Sequence, residues 1–146
     1  MEFADLRRGS DVEFGQSIYE PFGIAQIEPL GFGAISVVSD VCGCVGFVNH
    51  STGNENIHLF IRGDYTRLDR PLDLEGARAL GLEARRRAEA KQARQTAARL
   101  AESLPRTREQ AGSLLAQGFR LASAMSWENV VQDYFLPVLE RIEKAR

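Results

Sequence analysis

Glu20 and Glu28 stand eight residues apart, with the sequence Pro-Phe-Gly directly after the first of them. Proline suits the first position of a helix, where its missing N–H costs nothing, so the spacing predicts a helix over 21–30. The start of such a helix leaves the N–H groups of Phe22, Gly23 and Ile24 unpaired and carries about half a positive charge, which suits an anion. Gly23, with no side chain, lets that anion approach. At ~1.5 Å per residue the carboxylates would stand about 10–12 Å apart along the helix, with the anion near the first of them. Carboxylates repel phosphate and accept hydrogen bonds from hydroxyl groups. A molecule with sugar hydroxyls on both sides of a diphosphate is a nucleotide sugar, and by this geometry Glu20 faces its hexose and Glu28 its ribose.

The other chemically capable residues carry weaker signals. Cys42 and Cys44 sit one residue apart, where a disulfide is strained, and two cysteines cannot make a four-ligand metal site. They read as small packing residues in the turn after a strand. His50 lies in a polar loop and His58 in a strand, neither with partners at metal-ligand spacing, so no metal and no bound cofactor is expected. Tyr19 beside the motif reads as core, although an aromatic there can stack on a base or sugar. Trp127 reads as a packing anchor. The basic residues from Arg78 to Arg99 read as the solvated face of a helix.

Stepping outward to the elements, residues before about 72 alternate short apolar runs with glycine-rich turns, and residues after it are helical. Strands are expected over Asp11–Gln16, Ala34–Ser39 and Asn56–Ile61. Gly31 and Gly33 are placed to stop the helix between the first two. A strand, a helix and a strand of this length form a βαβ unit with parallel strands. The loop 48–56, rich in Asn, Gly, Ser and Thr, reads as an exposed turn. A long helix follows over Glu75–Leu104, with Ala90, Ala93, Ala97, Leu100 and Leu104 as its packing stripe. Thr107 and Gln110 form a capping box for the next helix, and Ser126 caps the last, which Pro137 should kink. The expectation is α/β: a partial parallel sheet of three short strands in 1–72, closed by a mainly helical segment in 73–146.

With 146 residues, 44% hydrophobic and 26% charged, the chain can form one domain with a real core. A net charge of −2 offers no general attraction to nucleic acid. No apolar run approaches the roughly 18 residues of a membrane span, and the N-terminus lacks a signal-peptide pattern. A cytoplasmic protein is the reading.

The stretch "SIYEPFGIAQIEPLGFGAISVVSDVCG", Ser17 to Gly43, resembles the Glu-(seven residues)-Glu motif of retaining glycosyltransferases with two Rossmann-like domains, the glycogen and starch synthases among them. The segment "SAMSWENVVQDYFLPVLERI" is similar to the Ser-Trp-Glu stretch that opens the bent last helix of such enzymes. The resemblance covers most of the chain, with Asn49–Leu104 the least matched part. It implies a Rossmann-like donor-binding domain, a nucleoside diphosphate sugar donor linked to UDP or ADP, and retention at the anomeric carbon. It implies Glu20 as the catalytic carboxylate, with Phe22, Gly23, Ile24 and Glu28 binding the donor.

Three departures accompany it. The Arg and Lys that hold the donor phosphates in that family precede this region, and Arg7 and Arg8 are not at the expected place. The family's N-terminal acceptor domain is absent. Pro29 should bend or shorten the motif helix. The chain is therefore expected to be the last part of a donor domain, inactive by itself, with an open strand edge and an uncovered terminal helix that promote self-association. The alternative is a non-catalytic module that keeps a weak phosphate site or an interaction surface.

Overall fold

The computed structural model describes residues 2–17, 20–53, 58–64 and 73–145. Three strands, β1 (Val12–Gly15), β2 (Ile35–Ser39) and β3 (Phe60–Gly63), form one parallel sheet in the order β1-β2-β3. Val12 pairs with Ile35 and Ser36 with Phe60. The chain is thus α/β, as its pattern indicates. All five residues of the central strand β2 are buried, which its unbroken apolar and β-branched run requires.

β3 lies later than the expected strand over Asn56–Ile61. Ser36 N donates to Leu59 O at 2.8 Å and Asp40 N to Gly63 O at 3.0 Å, and these contacts fix the register. The apolar run alone points too early, because the strand continues through the exposed Arg62. His58 is exposed in the turn ahead of it. Tyr19 and Asn54–Ile57 lie outside the described residues.

The motif helix is short. Helix α2 covers only Ile24–Ile27, after Gly23 at φ 87°, and continues as a 3-10 segment over Glu28–Phe32. Pro29 has no N–H for the Ala25 carbonyl, and the change of helix type falls at this point. Gly31 does not stop the segment; Gly33 does, with φ 80°.

Helix α3 (Cys44–Ser51) occupies the start of the region expected to be a loop. Its valines, glycine and asparagine are weak helix formers, but Cys44 and Val48, four apart, both enter the core. The short α1 (Phe3–Arg8) precedes β1.

The long helix is broken in two, α4 (Leu74–Arg78) and α5 (Leu82–Ser103), with Gly81 at the break. The buried stripe of α5 is also not the alanine stripe. Ala90, Ala93 and Ala97 are exposed, while Gln92 and Thr96 are buried and Leu100 packs on the core. The reason is polar: Gln92 Oε1 accepts from Asp64 N at 3.2 Å, and Arg99 Nη1 donates to Arg62 O at 2.9 Å. These contacts turn the helix toward β3.

Helix α6 (Arg108–Ala124) is capped by Thr107 Oγ1, which accepts from Gln110 N at 3.2 Å. Gln110 reaches back one residue further than expected, to Arg106 N at 2.7 Å. Leu114 and Leu121 join the sheet core, and Gly118 sits directly on the Leu30 carbonyl, where no Cβ fits. One core therefore unites the sheet with α6.

Ser126 caps α7 (Trp127–Val130), accepting from Asn129 N at 3.3 Å. A π-helical turn over Val131–Phe135 leads into α8 (Leu136–Lys144). Pro137 thus falls in the first turn of α8, and the wider turn before it absorbs the loss of its N–H. Tyr134 approaches His50 at 5.9 Å between ring centroids. Phe135, Val138, Leu139 and Ile142 remain exposed. No helix among the described residues is long and apolar enough to cross a membrane.

Candidate functional site

The chain leaves β1 at its carboxyl end and is tied at once to the carboxyl end of β2. Glu20 pairs with Cys42 in an isolated parallel bridge. Gly43 N donates to Glu20 O at 3.0 Å and Cys44 N to Phe22 O at 2.6 Å. Gly43 packs against the Pro21 carbonyl with no space for a Cβ, so glycine is required for this approach. The 20–23 turn is therefore fixed by main-chain bonds, at the end of a parallel sheet where open α/β folds bind ligands.

Within this turn Glu20 is half-buried, Gly23 is buried, and Phe22 and Ile24 are exposed. Among the described residues, no hydrogen bond is donated by the amides of Phe22, Gly23 or Ile24. The helix behind them has only four residues, so its dipole is a fraction of what a full helix through 30 would supply. The bare amides, rather than the dipole, are what the turn can offer an anion.

Glu28 stands at the junction of α2 and the 3-10 segment, with a half-exposed side chain. Its Oε2 lies 3.0 Å from Nη1 of Arg7, a residue only 4% exposed. Arg7 Nη2 is 3.9 Å from Glu13 Oε2, and the guanidinium lies 4.5 Å from the Phe3 ring centroid. Arg7 is the residue that sequence reasoning set aside. Its signal is visible in hindsight, because Arg7 falls four residues after Phe3 on one helical face. The ion pair engages one oxygen of Glu28 and leaves the other able to accept from a hydroxyl.

Phe22, Ile24 and Glu28 share a cavity of about 650 Å³ with Arg7, Phe47 and Trp127. It is an apolar recess with one ion pair in its lining, large enough for a ligand of several rings. The structure thus brings three of the five expected site residues to one recess; Glu20 and Gly23 lie on the adjoining turn and do not line it.

The thiols beside the turn are packing groups. Cys42 and Cys44 are buried with their Sγ atoms 3.2 Å apart. Burial above all, then the hydrogen bond to Cys42, pushes the Cys44 thiol far up, so it stays protonated and unreactive at neutral pH. Among the described residues no group of His, Cys, Asp and Glu is arranged to hold a metal ion.

No protein-family model matches this chain, and no curated protein matches it either.

Proposed function

We propose that this chain is the donor-binding part of a retaining glycosyltransferase of the two-Rossmann-domain type, similar to glycogen synthases, which takes a nucleoside diphosphate sugar. The observation that carries this reading is the 20–24 turn: its carbonyls are tied to the end of β2, while its amides and the Glu20 carboxylate stay uncommitted at the carboxyl end of the sheet.

In this reading the diphosphate lies on the Phe22, Gly23 and Ile24 amides, and Glu20 accepts hexose hydroxyls next to the anomeric carbon. Transfer passes through an oxocarbenium-like state, so donors held on the departing diphosphate act where charge develops. Glu28, aimed by Arg7, accepts the ribose hydroxyls with its free oxygen. The remaining phosphate-binding residues and the acceptor site come from a domain outside this chain, so the chain alone binds donor weakly and does not turn it over.

The test is a titration with UDP and with ADP at millimolar concentration, followed by amide NMR shifts. Saturable shifts at Phe22, Gly23 and Ile24 are expected, lost in Gly43→Ala, which pushes on Pro21. Unmoved amides with both nucleotides would remove the donor reading.

A further inference from the structure

A second cavity, of about 280 Å³, shares no lining residue with the first. It is lined by Glu13, Phe14 and Gly15 of β1, by Ser36 of β2, and by Ala25 and Gln26 of α2. Glu13 and Ser36 are paired in register, so their side chains rise side by side from one face of the sheet. Ser36 is 1% exposed and Gln26 8% exposed, and neither Ser36 Oγ nor Gln26 Oε1 has a hydrogen-bond partner. Glu13 Oε1 is equally shielded and equally unpartnered. Buried acceptors are costly unless something donates to them.

Charge narrows the choice of donor. Arg7 is the cation nearest Glu13, at 3.9 Å, but it is held closer to Glu28, at 3.0 Å. One guanidinium between two carboxylates leaves one negative charge in excess. The cavity lining contains no Lys, Arg or His. Phe14 is 65% exposed and adds an aromatic face, which favours a cation over a neutral donor.

We propose that this cavity binds a primary ammonium group, which donates to Glu13 Oε1 and Ser36 Oγ and, through its third N–H, to the Gln26 amide oxygen. Three donors on a compact charge match three unsatisfied oxygens in a space too small for a large ligand. The ammonium can belong to a small amine or to a lysine side chain of a segment lying along β1. The inference is independent of the donor-sugar reading, since it uses none of those residues.

The test is an NMR titration of the full chain with ethylammonium chloride, against sodium chloride at equal ionic strength and against ethylene glycol as the neutral donor. Saturable shifts of the Gly15 and Ser36 amides and the Gln26 side-chain amide are expected with ethylammonium only. Glu13→Gln, which keeps the shape, should weaken binding about tenfold, as expected for losing a charge-assisted bond. Phe14→Ala, at an exposed position, should weaken it about two- to threefold. The tripeptide Gly-Lys-Gly serves as a second probe: tighter binding than ethylammonium assigns the site to a lysine side chain, and equal binding to a small amine. Absence of saturation with both amines, an equal response to ethylene glycol, or unchanged affinity in a folded Glu13→Gln variant would each overturn the proposal.

Discussion

At the β3 edge of the sheet, the outward Asp64 N–H donates to Gln92 and the outward Arg62 carbonyl accepts from Arg99. At the β1 edge the arrangement differs. Ile35 N donates to Asp11 O at 2.9 Å, so Asp11, Glu13 and Gly15 turn their main-chain groups toward β2, and Val12, Phe14 and Gln16 turn theirs away. Among the described residues nothing is bonded to those outward groups. One edge is closed by the polar side chains of a helix, and the other is open. Both candidate sites lie toward the open side: Arg7, Glu13 and Glu28 on one hand, the 20–24 turn on the other. A stable closed half that carries an unfinished half fits a domain completed by something added along β1.

The largest test of this contrast lies in the closed half. Gly118→Val puts a side chain onto the Leu30 carbonyl, where α6 touches the 3-10 segment. It should cost at least about 3 kcal/mol, seen as a lowered midpoint in urea unfolding, or prevent folding. Gln92→Leu comes next, because it leaves the Asp64 amide without its acceptor while keeping the helix. A loss of about 1–2 kcal/mol in the same assay is expected. The smallest effect on stability belongs to the open edge. Phe14→Lys, at a side chain 65% exposed, should change stability by no more than about 0.5 kcal/mol. It should still reduce self-association in sedimentation at high micromolar concentration, since a lysine on an edge strand opposes pairing. A Phe14→Lys variant as destabilised as Gly118→Val would erase the distinction between the halves.

These contrasts were unevenly legible in the sequence. The β-branched run Ile35–Val38 marks a central parallel strand because burial on both faces leaves no alternation. Thr107 and Ser126 mark helix starts because a cap is a local interaction between near neighbours. The shortening of the motif helix at Pro29 is local too, since the missing N–H is a property of the residue. What could not be read depends on distant partners. α3 is helical because Cys44 and Val48 meet the core, against their propensity. The packing face of α5 follows Gln92 and Arg99, whose partners lie on β3, and an apolar-stripe rule overlooks polar anchors. The Arg7–Glu28 pair joins residues from two helices that β1 separates in the chain. Glu20 and Glu28 are recognisable as a pair, but their surroundings, a main-chain-tied turn for one and a buried arginine for the other, come only from the fold.

Amide hydrogen exchange compares the two edges most directly, measured on dilute protein so that association does not cover β1. The outward amides of Phe14 and Gln16 should exchange within about tenfold of an unstructured chain, and Asp64 at least about a hundredfold slower, as expected for open and hydrogen-bonded edge groups. Phe14 and Gln16 amides as slow as the inward amides of β2, independent of protein concentration, would show that the β1 edge is already closed within this chain and would contradict the account.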